Sequence, residues 1–131
     1  MLMRRDVLVG ALTASVWAAL PAQAASWVDL GARQVSLARE VDQIAVTNSR
    51  RFFTKLRLKV TGGDIFLQSA TVHFLNDTAV RYRFDTAIDE GRYSASIDLP
   101  GKGRRIRHVD LAYRRKPGGG VAVVVLQGLP V

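Results

Sequence analysis

Side chains that could carry out catalysis are few in this chain, which has two histidines and no cysteine. Nucleophilic catalysis commonly pairs a Ser, Thr or Cys nucleophile with a histidine base. His73 lies between Val72 and Phe74 in one apolar segment, and His108 precedes Val109 in another. Adjacent side chains of a strand point to opposite faces, so each histidine is expected on a solvent face. Since the chain also lacks a G-x-S-x-G elbow, we predict that it is not an enzyme.

One pair of residues has a spacing that suits metal ligands. His108 and Asp110 are two positions apart, so they share one face of a strand. Zinc sites use three or four protein ligands, which one pair does not supply. Asp85, Asp89 and Glu90 offer further carboxylates, but their spacing matches no calcium loop. The sequence therefore predicts neither a metal nor a cofactor.

Basic residues are the distinctive feature of the composition. Lys and Arg number 19 against 11 Asp and Glu, which gives a formal net charge of +8. Most are arginines, whose planar guanidinium group suits phosphate and carboxylate ligands. They form three clusters along the chain: Arg50 with Arg51; Lys102 with Arg104, Arg105 and Arg107; and Arg114 with Arg115 and Lys116.

Strand direction predicts which of these clusters meet. The segment from Ile106 to Tyr113 is about 26 Å long at roughly 3.3 Å per residue, so it separates the second and third clusters. If every connection after Phe52 reverses the chain, the first and second clusters share one end, together with the Asn76-Asp77 turn. The third cluster then shares the opposite end with the acidic residues 85–90. The predicted anion-binding residues are Arg50, Arg51, Lys102, Arg104, Arg105 and Arg107.

The basic end suggests an anionic partner in the cell envelope. Candidates are lipid phosphate, lipopolysaccharide, an acidic polysaccharide or an acidic protein. The alternative is a solvated basic surface that keeps the protein soluble and has no specific partner. Nucleic acid is disfavoured, because export is predicted and no aromatic residues are interleaved with the basic clusters. The oligomeric state does not follow from the sequence.

The first 24 residues are expected to be a signal peptide. Residues 1–6 carry Arg4 and Arg5, residues 7–20 are apolar, and Ala22-Gln23-Ala24 has the pattern of a cleavage site. The apolar stretch would span about 21 Å as a helix, short of the roughly 30 Å hydrocarbon core, so a membrane anchor is disfavoured. The arginine pair fits both the Sec and the twin-arginine route. We expect a periplasmic or secreted protein without a transmembrane segment.

The predicted mature domain covers residues 25–131 and relies on packing alone. Removing Arg4, Arg5 and Asp6 lowers the formal net charge from +8 to +7. A single domain of this length can bury a modest core. An exported chain without cysteine has no disulfide to stabilise it.

The pattern of residues 52–74 predicts a β-hairpin at the centre of the fold. Apolar and basic residues alternate strictly over residues 55–60, which is the period of a half-buried strand. Gly62 and Gly63 accept the positive φ angles of a tight hairpin turn. The return strand covers residues 65–74, and Gln68-Ser69-Ala70 interrupts its alternation, which suggests a bulge or kink.

Further strands are predicted around this hairpin. A helix over residues 32–44 competes with two short strands there. Trp27 is expected to fill the core rather than to stack on a ligand. The continuous apolar run 121–126 suggests a central strand that is buried on both faces. The other predicted strands are residues 27–30, 34–37, 43–46, 80–84, 93–99 and 106–113, and residues 85–91 are expected to form an acidic connection.

About eight short strands with turn residues between them are typical of an all-β antiparallel sandwich, for which a jelly roll is the expected topology. This fold leaves three classes of function open. The first and preferred class is a non-catalytic binding or envelope-associated module, the second a structural accessory that acts through protein contacts, and the third a small hydrolase or lyase. A pocket in which a carboxylate meets His73 or His108 would favour the hydrolase.

Part of the chain also resembles the small exported bacterial proteins of the YaaI type. The resemblance rests on Leu30-Gly31, Asp42, Lys55-Leu56-Arg57-Leu58, Gly63-Asp64-Ile65, Leu67 and residues 70–74. It covers about the middle half of the mature domain and implies export and a function that is not established. YaaI-type proteins carry cysteines in the mature domain, whereas this chain has none, so no disulfide is implied here.

Overall fold

The computed structural model describes residues 26–38, 40–114 and 120–131. The predicted signal peptide and the basic residues Arg115 and Lys116 lie outside these ranges. The described ranges contain no helix that is long and apolar enough to cross a membrane.

The described chain folds into two packed antiparallel sheets, which confirms the predicted sandwich. Sheet I has the strand order β1-β8-β3-β6, and sheet II has the order β2-β7-β4-β5. Apart from β4 and β5, neighbouring strands in each sheet are not consecutive in the chain, and this strand order is that of a jelly roll. The strands are β1 (Val28–Ser36), β2 (Val41–Ala45), β3 (Phe53–Thr61), β4 (Ile65–Phe74), β5 (Ala79–Ile88), β6 (Ile97–Asp98), β7 (Ile106–Tyr113) and β8 (Val121–Pro130).

The core lies between the sheets and follows the alternation of the sequence. In β3, Leu56, Leu58 and Val60 are completely buried, while the residues between them are half-exposed. A buried aliphatic side chain of this size contributes about 1.5–3 kcal/mol. Leu67 and Val72 face them from β4 in the other sheet and are equally buried. Packing of this kind is the stabilisation expected of a chain without disulfides.

The predicted hairpin is wrong, because β3 and β4 lie in different sheets. β3 pairs with β8 and β6, whereas β4 pairs with β5 and β7. The turn between them carries the expected positive φ at Gly62, 78°, but it connects the sheets. Two apolar faces can be buried by facing each other across a core as well as side by side, and alternation does not distinguish these arrangements. The predicted irregularity is confirmed, since the register of β4 shifts between Leu67 and Ser69.

The N-terminal segment also differs from its prediction. Residues 27–30 and 34–37 belong largely to one strand, β1, and the competing helix does not form. Pairing of β1 with β8 continues from Val28 to Ser36, with a register shift between Asp29 and Gly31. Continuous hydrogen bonding with β8 thus joins two segments that were predicted as separate strands.

Three other segments depart from expectation. β5 continues to Ile88 through the predicted acidic connection, because its pairing with β4 reaches Ile65. Of residues 93–99, only Ile97 and Asp98 form a strand, β6, at the edge of sheet I. β8 is central in sheet I, as predicted, but only its alternate residues are fully buried, so one face of this strand is partly open.

A buried polar contact connects β7 to the first turn of the sandwich. The Tyr113 hydroxyl donates to Asp42 Oδ2 at 2.7 Å, and it also lies 3.1 Å from the Ser36 carbonyl oxygen. Arg33 Nη2 is 3.2 Å from the other Asp42 oxygen, Oδ1. Asp42 is almost completely buried, and this hydrogen bond and ion pair offset the cost of burying its charge.

Candidate functional site

Backbone hydrogen bonds bring the first two basic clusters to one end of the sandwich. Phe53 and Arg104 exchange N–H···O bonds of 2.9 and 2.8 Å. The Leu75 N–H, in the turn after β4, donates to the Arg105 carbonyl oxygen at 3.1 Å. This confirms the predicted meeting of the two clusters and the Asn76-Asp77 turn. We call this region the basic end.

The opposite end has the predicted mixture of charges in its described part. The Arg114 guanidinium lies 3.9 Å from the centre of the Phe66 ring, and the backbone N–H of Arg114 donates to the Phe66 carbonyl oxygen. Phe66 pairs in register with Ala87, just before the acidic residues 89–90. The third basic cluster therefore begins beside the acidic segment and away from the basic end.

A cleft of about 170 Å³ opens at the basic end. We call it the basic cleft, and its lining residues are Phe52, Phe74, Leu75, Asn76, Gly103, Arg104 and Arg105. Gly103 is required there, because its φ is 145° and an added Cβ would lie 2.6 Å from Val131 Cγ2. Glycine thus lets the backbone pass close to Phe52 and Val131 and leaves room for the cleft.

Arg104 is held in place by three contacts. Its guanidinium lies 3.8 Å from the centre of the buried Phe74 ring. Nη2 donates to Thr78 Oγ1 at 3.1 Å and to Asn76 Oδ1 at 3.4 Å. Only one of the guanidinium nitrogens is engaged in these hydrogen bonds, so the others can bind an anion.

Arg105 and Phe52 form the exposed side of the basic cleft. The Arg105 guanidinium lies 5.1 Å from the centre of the Phe52 ring, and half of the Phe52 surface is exposed. Among the described residues, no carboxylate forms an ion pair with Arg105. The basic cleft thus combines two arginines, one of them exposed, with an accessible aromatic ring.

The other predicted anion-binding residues have different surroundings. Arg107 pairs with Asp77 Oδ1 at 3.0 Å and donates to the Leu75 carbonyl oxygen at 3.2 Å, so its charge is largely compensated. Arg50, Arg51 and Lys102 are exposed at the basic end and do not line the cleft. Within the described ranges, none of these three forms an ion pair. They add positive potential around the cleft without shaping it.

A second group of residues, whose side chains could act in catalysis or bind a ligand, lies on the outer face of sheet II. His73 on β4 pairs in register with His108 on β7, and their rings stack with centroids 4.2 Å apart. His73 Nε2 is 2.9 Å from Asp110 Oδ2, and His108 Nε2 is 3.9 Å from Asp110 Oδ1. Gln43 Nε2 donates to Asp110 Oδ1 at 3.1 Å. We call His73, His108 and Asp110 the histidine cluster.

The sequence indicated only part of this cluster. The spacing of His108 and Asp110 correctly placed both on one strand face. The position of His73 depends on the pairing of β4 with β7, which are separated by β5, β6 and two long connections. Local spacing contains no signal for that register, so the third member was missed.

Trp27 does not fill the core as predicted. It is half-buried, and its ring stacks on the guanidinium of Arg57 with 4.3 Å between the charge and the ring centre. Tyr93 stacks on the same guanidinium at 4.0 Å, and Arg57 Nε donates to Gln127 Oε1 at 2.7 Å. The apolar body of Trp27 therefore covers a charged side chain.

One tyrosine near the basic end, Tyr82, has a pKa above its ordinary value. Burial is the largest effect on Tyr82 and raises its pKa; Arg104 lowers it, and Asp98 raises it further. The neutral hydroxyl donates to the Asp98 carbonyl oxygen at 3.2 Å. Tyr82 thus remains a hydrogen-bond donor at neutral pH.

The DUF2541 sequence family, described as a domain of unknown function, matches residues 7–128. The chain belongs to this family. The match agrees with the family of unknown function implied by the YaaI-type resemblance, but it does not carry the YaaI name. No curated protein matches the chain.

The DUF2541 fold also occurs inside a larger solved structure. A chain from the structural and functional characterization of Pseudomonas aeruginosa AlgX superposes with a TM-score of 0.57 at 10% sequence identity. The similarity covers 79% of this chain and 26% of that chain, so this domain corresponds to about a quarter of its neighbour. At this identity the likeness shows the fold alone.

Proposed function

We propose that this protein is a non-catalytic binding module whose basic cleft holds carboxylate groups of an acidic envelope polysaccharide. The observation that supports this function is the placement of Arg104 and Arg105 beside the exposed ring of Phe52 in one cleft. Guanidinium groups bind carboxylates through paired, charge-assisted hydrogen bonds. An exposed aromatic ring can pack against the C–H face of a sugar.

The arginine contacts favour binding because they prepare the cleft in advance. Stacking on Phe74 and the hydrogen bonds to Asn76 and Thr78 restrict the rotamers of Arg104. Immobilising a long side chain at binding costs about 0.5–1.5 kcal/mol, and a side chain that is already held avoids most of this cost.

The size of the cleft favours a polymer over a small-molecule substrate. Its volume of about 170 Å³ is below the roughly 300–1,000 Å³ of sites that enclose a drug-sized ligand. One charged sugar fits such a cleft, while its neighbours in the polymer lie across the exposed surface of the basic end. Arg50, Arg51 and Lys102 are then close enough to attract further carboxylates.

A specific observation favours a second candidate function, a small hydrolase. Asp110 meets both histidines, as such an enzyme would require. The basic cleft does not include them, and neither does the cleft lined by Ser69, Arg81, Arg83 and Asp85 on the same sheet. Because neither of these two clefts in the described part of the chain includes the histidines, we prefer the binding module.

The proposed function is tested by calorimetric titration of residues 25–131 with polygalacturonate and with the same polymer after complete methyl esterification. Esterification removes the charge and keeps the sugar backbone. We expect binding of the acidic polymer that weakens with salt, and at least about tenfold weaker binding of the ester, since charged hydrogen bonds contribute about 1.5–3 kcal/mol each.

Lipid is the comparison in the same experiment. Vesicles of phosphatidylglycerol and of phosphatidylcholine both present phosphate groups on a membrane surface. The phosphatidylglycerol surface carries a net negative charge, and the phosphatidylcholine surface carries none. Binding of the anionic vesicles with no binding of polygalacturonate would overturn the polysaccharide proposal. Equal binding of the polymer and its ester would overturn the role of the arginines.

A further inference from the structure

We propose that the histidine cluster is a binding site for a divalent transition-metal ion with the preferences of Zn²⁺. Two imidazoles and one carboxylate are ligands that zinc commonly uses. His73, His108 and Asp110 each offer one ligand atom, and these atoms all lie within 4.8 Å of one another. This site is separate from the basic cleft and does not depend on the polysaccharide proposal.

The distances within the cluster are close to those that a metal would impose. Ligand atoms at 2.0–2.2 Å from a tetrahedral zinc ion are about 3.3–3.6 Å from one another. His73 Nε2 and Asp110 Oδ2 are 2.9 Å apart, slightly closer than this. His108 Nε2 is 3.9 Å from the other carboxylate oxygen, Oδ1, and the single ligand atoms that the three residues offer all lie within 4.8 Å of one another. Because the two imidazole rings are stacked 4.2 Å apart, binding requires the histidine side chains to rotate so that one nitrogen of each ring is directed at the ion.

The backbone holds these side chains on a rigid surface. β4 and β7 are the two central strands of sheet II and are hydrogen-bonded to each other. The row that contains His73 and His108 is in register, and Thr71 pairs with Asp110 in the next row of the same face. A site on central strands keeps its geometry better than a site on loops.

A neighbouring side chain gives the carboxylate a fixed orientation. Gln43 on β2 donates to Asp110 Oδ1 and leaves Oδ2 directed at His73. Hydrogen bonds of this kind to a metal ligand commonly change the affinity 10–100-fold. Gln43 thus has the position of a residue that supports a metal ligand.

The exposure of the cluster allows an ion to enter. The side chains of His73, His108 and Asp110 are 33%, 22% and 35% exposed. Three protein ligands at a partly open surface leave at least one coordination position for water or an anionic ligand, as in open zinc sites.

The test is calorimetric titration of the tag-free domain, residues 25–131, with Zn²⁺. We expect one ion per chain and a rise in Tm with added Zn²⁺, because an ion that binds the folded state stabilises it. His73→Gln, His108→Gln and Asp110→Asn should each weaken binding by roughly 100-fold, and Gln43→Ala by about tenfold.

The matched control is Thr71→Ala, which changes the same sheet face without removing a ligand and should bind Zn²⁺ like the wild type. Circular dichroism without metal establishes that each variant is folded. If the wild type shows no saturable binding at millimolar Zn²⁺, the site is a hydrogen-bonded His–Asp pair and the proposal is wrong. Unchanged affinity in the folded His73→Gln variant would overturn it equally.

Discussion

The guanidinium of Arg104 lies 3.8 Å from the centre of the Phe74 ring. Phe74 is 1% exposed, so this contact connects a charged residue of the basic cleft directly to the core. Stacking of a guanidinium on an aromatic ring contributes about 0.5–2 kcal/mol. The orientation of Arg104 is therefore set by core packing, and a ligand need not impose it.

Phe52 should contribute to sugar binding without contributing much to stability. Phe52→Ala removes the exposed ring of the basic cleft, and we expect polygalacturonate affinity to fall about three- to tenfold, since aromatic packing contributes about 1 kcal/mol. Half of the ring is exposed, so Tm should change little. Calorimetric titration and thermal unfolding measure the two effects.

Tyr93→Ala is the control for this prediction. Tyr93 is 46% exposed and packs on Arg57, outside the basic cleft. Its removal should leave polymer affinity unchanged. An equal loss of affinity in both variants would mean that Phe52 has no specific role.

Asp42 should be important for stability. Asp42→Ala removes the nearer of two acceptors of the Tyr113 hydroxyl, the other being the Ser36 carbonyl oxygen, and it removes the partner of Arg33. Loss of a partner for buried polar groups costs about 1–3 kcal/mol, which urea unfolding measures. Asp98→Ala is the comparison, because Asp98 also pairs with a base, Lys55, but its side chain is 80% exposed. Surface pairs contribute at most about 1 kcal/mol, so a cost as large as that of Asp42→Ala would contradict this explanation.

Tyr82 should make stability sensitive to alkaline pH. Burial raises its pKa in the folded state, whereas in the unfolded chain it ionises near the ordinary value of about 10. The unfolded state then loses its proton first, so the free energy of unfolding should fall as the pH rises above about 10. Tyr82→Phe should show a shallower fall in urea unfolding. Identical slopes for the wild type and the variant would contradict the raised pKa.

Strand alternation predicted the sandwich because it depends only on which residues can be buried. It did not predict that β3 and β4 face each other across the core, since the same pattern suits a hairpin. The placement of the first two basic clusters at one end was nevertheless correct, because the chain reverses at each turn whether the next strand lies beside the previous one or opposite it. The end of the sandwich at which a strand terminates is thus easier to predict than the strand with which it pairs.

Side-chain contacts between strands that are distant in the chain could not be predicted from the sequence. His73 and His108 meet because β4 and β7 are in register, and this register results from packing of the whole sheet. Trp27 was expected in the core on the basis of its size, but its neighbour across sheet I is the charged Arg57. Residue type alone does not identify such neighbours.

The most direct test of the proposed function is the affinity of the Arg104→Gln/Arg105→Gln variant for polygalacturonate, measured beside Arg81→Gln/Arg92→Gln. Both variants remove the same charge, but Arg81 and Arg92 are exposed residues outside the basic cleft. We expect at least about tenfold weaker binding in the first variant and a loss below about threefold in the second, because only the first removes direct carboxylate contacts. Equal losses in the two folded variants would show that net charge alone attracts the polymer and would contradict a binding site at the basic cleft.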